Sequence, residues 1–324
     1  MSKLIILVMV IAYLLDLVIG DPYSFPHPVR FIGNLIRFTE GKIRIIFKSK
    51  KQLKIGGFLL WTITVGFTAL VTNLILNLLC INNIFYVIIA SIILYTTLST
   101  KCLADEAKKI YEVLKTGDIE KSRKQLSYIV GRDTTSLNEN EIIRATVETV
   151  AENTVDGIIS PMMYGFIGGP VLAMAYKAIN TLDSMVGYKN EKYGDIGFAS
   201  AKIDDIANFI PARITPFFMM IASFILGFNS KKSIKIAMRD RKNHKSPNCA
   251  YAEGAVAGAL EVQLGGTNMY FGEKVYKPTI GDKDRELEAE DILRTNKIMY
   301  LTSFIWHLAV QYQLLWVSCW AQEK

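Results

Sequence analysis

The stretch from Gly57 to Leu79 contains no charged residue, and its length constrains the whole fold. A helix needs about 20 mostly apolar residues to cross roughly 30 Å of hydrocarbon. Because a bilayer offers no water to the backbone, a segment of this kind crosses as a helix. The chain is 51% hydrophobic and only 21% charged. These features predict an integral membrane protein and exclude a disordered chain, which cannot bury enough apolar surface to fold.

Further apolar segments extend this prediction to a chain that crosses the membrane several times. The predicted membrane segments are 4–19, 57–79, 84–98, 214–228 and 299–320. The last contains Trp306, Trp316 and Trp320, which suit an interfacial aromatic belt. Segment 158–180 is also apolar, but prolines and glycines interrupt it, so we expect it to be broken or re-entrant. The predicted fold is all-α, a polytopic helical bundle with cytoplasmic helical loops and a single membrane-embedded catalytic domain over 1–324.

Basic residues set the expected orientation. They are concentrated between Arg30 and Lys54 and between Lys231 and Lys245, and the net charge of the chain is +7. The excess of basic residues in cytoplasmic loops places both runs inside the cell. A helical loop over 101–157, with two amphipathic helices interrupted near Gly117, is expected on the same side. The basic runs lack interleaved aromatic residues, so no nucleic-acid partner is predicted.

Several common kinds of site are absent from the sequence. The four cysteines form no C-x-x-C pair and there are only three histidines, which argues against a disulfide framework and a zinc site. The chain also has no phosphate loop, dinucleotide fingerprint, nucleophile elbow or H-E-x-x-H motif.

A stripe of charge between residues 144 and 156 is the clearest candidate for chemistry. Arg144, Glu148, Glu152 and Asp156 follow one another at four-residue intervals and therefore share one face of a helix. Like charges at this spacing repel by about 0.2–0.5 kcal/mol on an exposed helix. Either the stripe is a solvated face, or its carboxylates bind a hard cation, for which Mg²⁺ with a phosphate substrate is the commonest case.

Other polar groups lie at the ends of apolar segments. Some of them have an ordinary alternative role: a helix cap for the paired aspartates, a surface pair for the histidine with Asp240, and a lipid anchor for the arginine. These groups are Lys177, Asn180, Asp183, Lys202, Asp204, Asp205, Arg213, His244 and Asn248. Gly254-x-x-x-Gly258 indicates close helix packing, and Gly265-Gly266 indicates a turn.

Longer strings of residues resemble one known family. They begin with Leu15-Asp16-Leu17-x-x-Gly20-Asp21-Pro22 and Pro26-His27-Pro28-Val29-Arg30, and they continue with residues 130–134, 147–154, 175–188, 200–205, 211–213 and 246–248. In this order, from about residue 15 to residue 285, they are similar to the adenosylcobinamide-phosphate synthase (cobinamide synthase) family. The region 246–266 is looser than the family pattern, with Glu261 at a position where glycine is expected.

The resemblance implies an ATP-dependent ligase of cobalamin biosynthesis. Such an enzyme joins adenosylcobyric acid to (R)-1-amino-2-propanol or its O-phosphate and forms a C–N amide bond. It implies Mg²⁺ and ATP, a multi-pass position in the cell membrane with a cytoplasmic active site, and a homo-oligomer or a late cobalamin-assembly complex.

Roles for the candidate residues follow from this implied reaction. The expected catalytic residues are Asp183, Asp204, Asp205 and His244. Substrate or phosphate contacts are expected from Lys177, Asn180, Lys202, Arg213 and Asn248, and metal contacts from Glu148, Glu152 and Asp156.

A second class of function stays open at this point. Buried acids also line the polar pathways of membrane transporters and sensors. A pathway would place acids in the middle of membrane segments, whereas here they lie at segment ends and in loops. A purely structural partner in an assembly complex is the remaining alternative.

Overall fold

The computed structural model describes residues 2–22, 26–270 and 273–320, and most of these residues are helical. The helices are α1 (Ser2–Ile19), α2 (Pro28–Ile46), α3 (Lys50–Leu79), α4 (Asn83–Tyr95), α5 (Thr100–Leu114), α6 (Ile119–Leu126), α7 (Glu139–Thr154), α8 (Ser160–Val186), α9 (Phe198–Ala207), α10 (Phe209–Ile225), α11 (Ser230–Asp240), α12 (Cys249–Leu260) and α13 (Glu290–Trp320). A π-helical turn, Val155–Ile159, follows α7, and β1 (Leu264–Tyr270) and β2 (Glu273–Ile280) form an antiparallel hairpin.

The chain packs as two compact units, each built from separated stretches. Unit 1 comprises Met1–Ser99, Ser160–Asn208 and Ala309–Lys324, and unit 2 comprises Thr100–Ile159 and Phe209–Leu308. The single catalytic domain expected from the sequence stays a prediction.

Unit 1 contains the most apolar helices. Helix α3 packs on α2, α8 and α9, and α1 packs on α4. Its core includes Ile36, Leu60 and Leu182. Large apolar side chains such as Phe67 and Leu74 project outward from α3. Such exposed surface is costly in water and suits contact with lipid chains.

The described helices are long and apolar enough for a membrane protein. Three stretches qualify as spans, Lys50–Leu79, Asn83–Leu114 and Glu139–Val186, and a fourth qualifies if the bent pair α9 and α10 counts as one span. The all-α membrane fold predicted from the sequence is confirmed. The predicted segment 4–19 corresponds to a shorter apolar helix, 214–228 lies within the bent pair and the turn after it, and α13 includes 299–320. The side chains of Trp316 and Trp320 lie outside the described residues.

Helix α8 is interrupted where the sequence places Gly168-Gly169-Pro170. Gly169 has φ 65° and ψ −160°, a conformation open essentially to glycine alone, and Pro170 has no N–H to donate to the preceding turn. The break therefore has a local cause, and whether segment 158–180 crosses the membrane stays a prediction.

Unit 2 is built around α12, which is buried along its whole length. It packs against α7, α10 and α11. A Cβ added to Gly258 would lie 2.3 Å from the carbonyl oxygen of Lys232, so the predicted close helix packing is confirmed. The paired amphipathic helices of the 101–157 loop are also present as α5 and α6, with Gly117 between them.

The hairpin was not predicted from the sequence. The expectation of a turn at Gly265-Gly266 is wrong, because both residues lie in strand β1 with φ of 82° and 89°. The strand register shifts between Leu264 and Gly266. Glycine with positive φ at such an irregularity is typical of a β-bulge, and this explains why a turn-like dipeptide occurs within a strand.

Candidate functional site

Glu148 is the most enclosed acid of the predicted stripe, and its side chain is 2% exposed. Its Oε2 accepts a hydrogen bond from Arg132 Nη2 at 2.7 Å, and its Oε1 accepts one from the backbone N–H of Gly265 at 2.8 Å. Arg144 Nε lies 3.8 Å from Oε1. A buried carboxylate is tolerated when charges and donors surround it in this way. Glu148 therefore joins α7 to the 130–134 segment and to β1.

The stripe is regular only as far as Glu152. Glu152 Oε1 accepts a hydrogen bond from the Cys249 thiol at 3.0 Å. Asp156 lies in the π-helical turn, whose i→i+5 bonding widens the helix and shifts the following residues around its axis. The expectation of one 3.6-residue period through residue 156 is therefore wrong at its last member. Asp156 is nevertheless close enough to influence the Cys249 thiol.

The described side chains form no ready-made metal cage. Among residues 2–22, 26–270 and 273–320, no group of three or more His, Cys, Asp or Glu side chains could hold a metal ion. Mg²⁺ usually binds only one or two carboxylates and takes its other ligands from water and substrate phosphates. The half-buried carboxylates of Glu152 and Asp156 fit that partial role, and Glu148, already bound by arginines, does not. A magnesium site at these residues stays a prediction.

A further acid, Glu253, lies in the same cluster and was not among the candidates. It is on α12 and 1% exposed, and its Oε1 has no hydrogen-bond partner in the described part of the chain. Burial and the neighbouring charge of Glu148 raise the pKa of Glu253 to about 8. A lone acid in the small-residue helix CAYAEGAVAGAL is the sequence signal that could have identified it.

His244 is brought close to these acids by the loop after α11. Its Nδ1 accepts the backbone N–H of Ser246 at 3.0 Å, and its Nε2 lies 3.0 Å from Lys277 Nζ on β2. Burial and the Lys277 charge lower the pKa of His244. The imidazole is therefore neutral at pH 7. The alternative of a surface pair with Asp240 is wrong, because Asp240 binds Arg239 and the backbone N–H of Gly281 instead.

These groups define the glutamate cluster of unit 2: Arg132, Glu148, Glu152, His244, Cys249, Glu253 and Lys277. Sequence reasoning placed Glu148, Glu152 and His244 among the candidates and missed the others as site residues. Lys277 has no local signal, since only strand pairing brings it to this cluster.

Arg213 lies in unit 2 on α10 and contacts two aromatic rings. Its guanidinium carbon is 3.3 Å from the centroid of the Phe209 ring and 5.0 Å from that of Tyr251. Its Nη1 donates to the Phe209 carbonyl oxygen at 2.6 Å and to Asn248 Oδ1 at 3.3 Å. The structure thus joins two predicted phosphate-binding residues, Arg213 and Asn248, and fixes the plane of the guanidinium.

Unit 1 contains a second polar cluster, centred on Asp204. The residue is 8% exposed, and its Oδ2 accepts a hydrogen bond from Asn208 Nδ2 at 3.0 Å. Asn208 Oδ1 in turn accepts the hydroxyls of Ser160 at 2.6 Å and Tyr176 at 2.8 Å. The helix-cap alternative for Asp204 is wrong, because the residue lies in the last turn of α9 and the capping residue is Asn208.

Residues of α8 complete this cluster. Asn180 and Asp183 both lie close enough to the Asp204 carboxylate to act on it electrostatically. Asp205 is more exposed, and Lys202 Nζ lies 3.7 Å from its Oδ2. Lys177 lies half-buried on α8. We call Ser160, Tyr176, Asn180, Asp183, Ser200, Asp204 and Asn208 the aspartate–amide cluster.

The predicted residues thus fall into two groups. Unit 1 contains Lys177, Asn180, Asp183, Lys202, Asp204 and Asp205, and unit 2 contains Glu148, Glu152, Asp156, Arg213, His244 and Asn248.

Comparison with known proteins gives a consistent result. A family model described as CobD/CbiB protein matches residues 9–299. The cobalamin biosynthesis protein CobD of Listeria monocytogenes (serotype 4b, strain F2365) is 55% identical over 295 residues, covering 91% of this chain and 93% of that protein. The CobD protein of Clostridium perfringens is 52% identical over 297 residues (91% and 94%). The CbiB protein of Salmonella typhimurium is 49% identical over 299 residues (92% and 94%). No solved structure matches this chain significantly.

Proposed function

This chain belongs to the CobD/CbiB protein family, and on that premise we propose that it is a membrane enzyme of cobalamin biosynthesis that forms an amide bond at the expense of ATP. The substrates are adenosylcobyric acid and (R)-1-amino-2-propanol or its O-phosphate. The observation that carries the proposal is the match over residues 9–299, which includes both polar clusters in full.

The reaction needs an activated carboxyl group, because a carboxylate is a poor electrophile. Transfer of a phosphoryl group from ATP to the propionate oxygen gives an acyl phosphate and ADP. The amine nitrogen then attacks the carbonyl carbon, the C–O bond to phosphate breaks, and the nitrogen loses a proton. The protein must therefore hold phosphate charge, bind an amine and accept a proton.

The glutamate cluster suits the phosphate side of this reaction. We propose that the carboxylates of Glu152 and Asp156 hold Mg²⁺ together with ATP. When bound, the metal ion would neutralise charge on the phosphates. Glu148 acts through its partners, since it orients Arg132 and the backbone of β1. His244, neutral at pH 7, is a candidate to accept a proton.

Cationic and amide side chains supply the remaining proposed contacts. The guanidinium of Arg213 lies against the Phe209 ring and near the Tyr251 ring, with Asn248 beside it, an arrangement suited to a phosphate or a corrin carboxylate. Lys177 and Lys202 are further candidates for anionic groups. In unit 1, Asp183 and Asp205 lie close enough to Asp204 to act on its charge, and these three acids are proposed for the amine side of the reaction.

We place the enzyme in the cell membrane with both clusters reached from the cytoplasm, where ATP is available. The basic runs at 30–54 and 231–245 support this orientation. Single cysteines introduced at the exposed positions 108 and 235 in a cysteine-free chain should resist a membrane-impermeant thiol reagent in intact cells. Labelling at either position would overturn the orientation.

The reaction is tested with purified protein in detergent or nanodiscs. Adenosylcobyric acid, ATP, Mg²⁺ and each amine are incubated with the enzyme, and the corrinoid product is identified by mass. An ATP-dependent mass increase equal to amine minus water is the expected result. With Glu152→Gln the rate should fall sharply at low Mg²⁺ and recover in part at high Mg²⁺, whereas Glu112→Gln, an exposed acid on α5, should behave as wild type. Corrinoid unchanged by the wild-type protein, with ATP intact, would overturn the proposal in favour of a transporter, a sensor or a structural role.

A further inference from the structure

Three polar residues share one buried face of α9 and its C-cap. Ser200, Asp204 and Asn208 are spaced four residues apart, so their side chains lie above one another. They are 0%, 8% and 1% exposed. Polar side chains at this depth normally form hydrogen bonds with all their polar atoms.

The orientation of the Asn208 amide is fixed by its neighbours. Ser160 and Tyr176 direct their hydroxyls at Oδ1, so Nδ2 is the atom that faces Asp204 Oδ2. The reverse orientation would place two oxygens against each other. Tyr176 is itself held by stacking on Tyr164, with ring centroids 4.9 Å apart, and Tyr164 donates to the Ala207 carbonyl oxygen at 2.8 Å. The cluster is therefore rigid on its buried side.

Two oxygens of this rigid cluster have no donor. In the part of the chain that the structure describes, Asp204 Oδ1 and Ser200 Oγ are buried without a hydrogen-bond partner. An unsatisfied buried carboxylate oxygen is unfavourable. The nearby charge of Asp183 makes the position still less favourable for a second anion. The arrangement is thus complementary to a small group that carries positive charge and several hydrogens to donate.

We propose that the aspartate–amide cluster binds the primary ammonium group of the amine substrate, with N–H groups donated to Asp204 Oδ1 and Ser200 Oγ. This inference rests on the proposed function, because it names the part of the substrate that unit 1 recognises. An ammonium has three donors and no acceptor, which matches two oxygen acceptors beside a second carboxylate. Asn180 and Asp183 are only half-buried, so the ligand enters from their side of the cluster.

A phosphate or carboxylate ligand does not suit this position, since it would face two aspartates. The alternative is a proton shared between Asp183 and Asp204, and the experiment must distinguish it from a bound ammonium group.

Binding is tested directly with 1-amino-2-propanol and with 1,2-propanediol, which has a hydroxyl in place of the ammonium. Thermal melting of the purified full-length protein is followed as each compound is added. The amine, and not the diol, should raise the melting temperature of wild type. In Asp204→Asn, the amine concentration that gives half of this shift should rise about tenfold or more, because a charge-assisted hydrogen bond is lost.

Kinetics provide the second readout. In Asp204→Asn the KM for the amine should rise about tenfold while kcat changes less, and Ser200→Ala should raise this KM by a smaller factor. Asp195→Asn, which changes an aspartate of a long surface ion pair with Lys54 in the same unit, should match wild type. If Asp204→Asn does not fold, Ser200→Ala carries the test.

The outcomes separate this inference from the proposed function. Unchanged amine affinity in both Asp204→Asn and Ser200→Ala, in an enzyme that still makes the amide, would overturn the amine subsite and favour a shared proton. Amine-specific stabilisation of a wild-type protein that makes no amide would support the subsite and overturn the ligase function.

Discussion

Glu148 in unit 2 and Asp204 in unit 1 are both buried carboxylates, yet their surroundings are opposite. Glu148 receives a hydrogen bond from Arg132 and one from a backbone N–H, with Arg144 close by. Asp204 receives a hydrogen bond from the neutral amide of Asn208 and lies near a second acid.

The difference indicates different roles for the two regions. A carboxylate whose charge is balanced by arginines stabilises the fold and holds its partners in place. A carboxylate held by one neutral amide, with its other oxygen left without a donor, is prepared to receive a cation from outside the chain. The predictions below test this contrast, beginning with the largest expected effect.

Removing the charge of Glu148 should destabilise unit 2 strongly. Glu148→Gln leaves Arg132, whose side chain is 6% exposed, without its anion. Loss of one partner of a buried pair costs about 3–5 kcal/mol. A large fall in melting temperature in detergent is expected, whereas Glu112→Gln on the exposed face of α5 should change it little. A wild-type melting temperature for Glu148→Gln would contradict the claim that Glu148 stabilises the fold.

Asp291 is a second buried acid that, like Glu148, is paired with arginines. Its side chain is fully buried, and burial alone would raise the pKa of Asp291. Hydrogen bonds from Arg285, the Glu288 backbone N–H and Arg294 outweigh this effect and hold the pKa of Asp291 below its usual range. The stability it contributes is complete above the unfolded pKa of about 4 and is lost as the pH falls through the lower folded value.

Asp291→Asn should therefore lower the melting temperature at pH 7, with a difference from wild type that narrows as the pH is taken below about 4. Melting curves of both proteins between pH 7 and pH 3 measure this. A difference that stays constant with pH would mean that the Asp291 charge is not the source of the stability.

Glu253 is an acid of unit 2 that resembles Asp204 more than Glu148. Because its pKa is raised to about 8, the folded protein keeps a proton that the unfolded chain loses above about pH 4.5. Wild-type stability therefore declines from about pH 4.5 to about pH 8 for this group and levels off above that.

Glu253→Gln removes this proton linkage. In metal-free buffer the variant should gain melting temperature relative to wild type as the pH rises towards 8, with no further gain above it. Parallel pH dependence of the two proteins would show that Glu253 is ionised in the fold and has a cationic partner.

Arg213→Lys should have the smallest effect on folding. The change keeps the charge but removes the planar group that contacts the Phe209 and Tyr251 rings. The melting temperature should change little, and the KM for the anionic substrates should rise about threefold to tenfold. If the variant keeps wild-type KM values, Arg213 only anchors the protein at the lipid surface.

The sequence predicted the features that depend on local pattern. Uncharged stretches predicted the membrane helices, Gly168-Gly169-Pro170 predicted the break in α8, and Gly254-x-x-x-Gly258 predicted close packing. The resemblance to a family also identified candidate residues in both clusters.

Features created by long-range contact could not be predicted. Arg132 and Gly265 are distant from Glu148 in sequence, and their pairing exists only once the hairpin and α7 have folded. The hairpin was missed because its glycines resemble a turn, and Asp156 was misplaced because a π-helical turn leaves no periodic signal in composition.

The most direct test of the contrast measures melting temperature and amine KM together for Glu148→Gln and Asp204→Asn. The account predicts that Glu148→Gln lowers the melting temperature while the folded fraction keeps a wild-type KM for the amine. It predicts the reverse for Asp204→Asn, with near-normal melting and a KM raised about tenfold. Two variants that change the same quantity in the same direction would contradict the account.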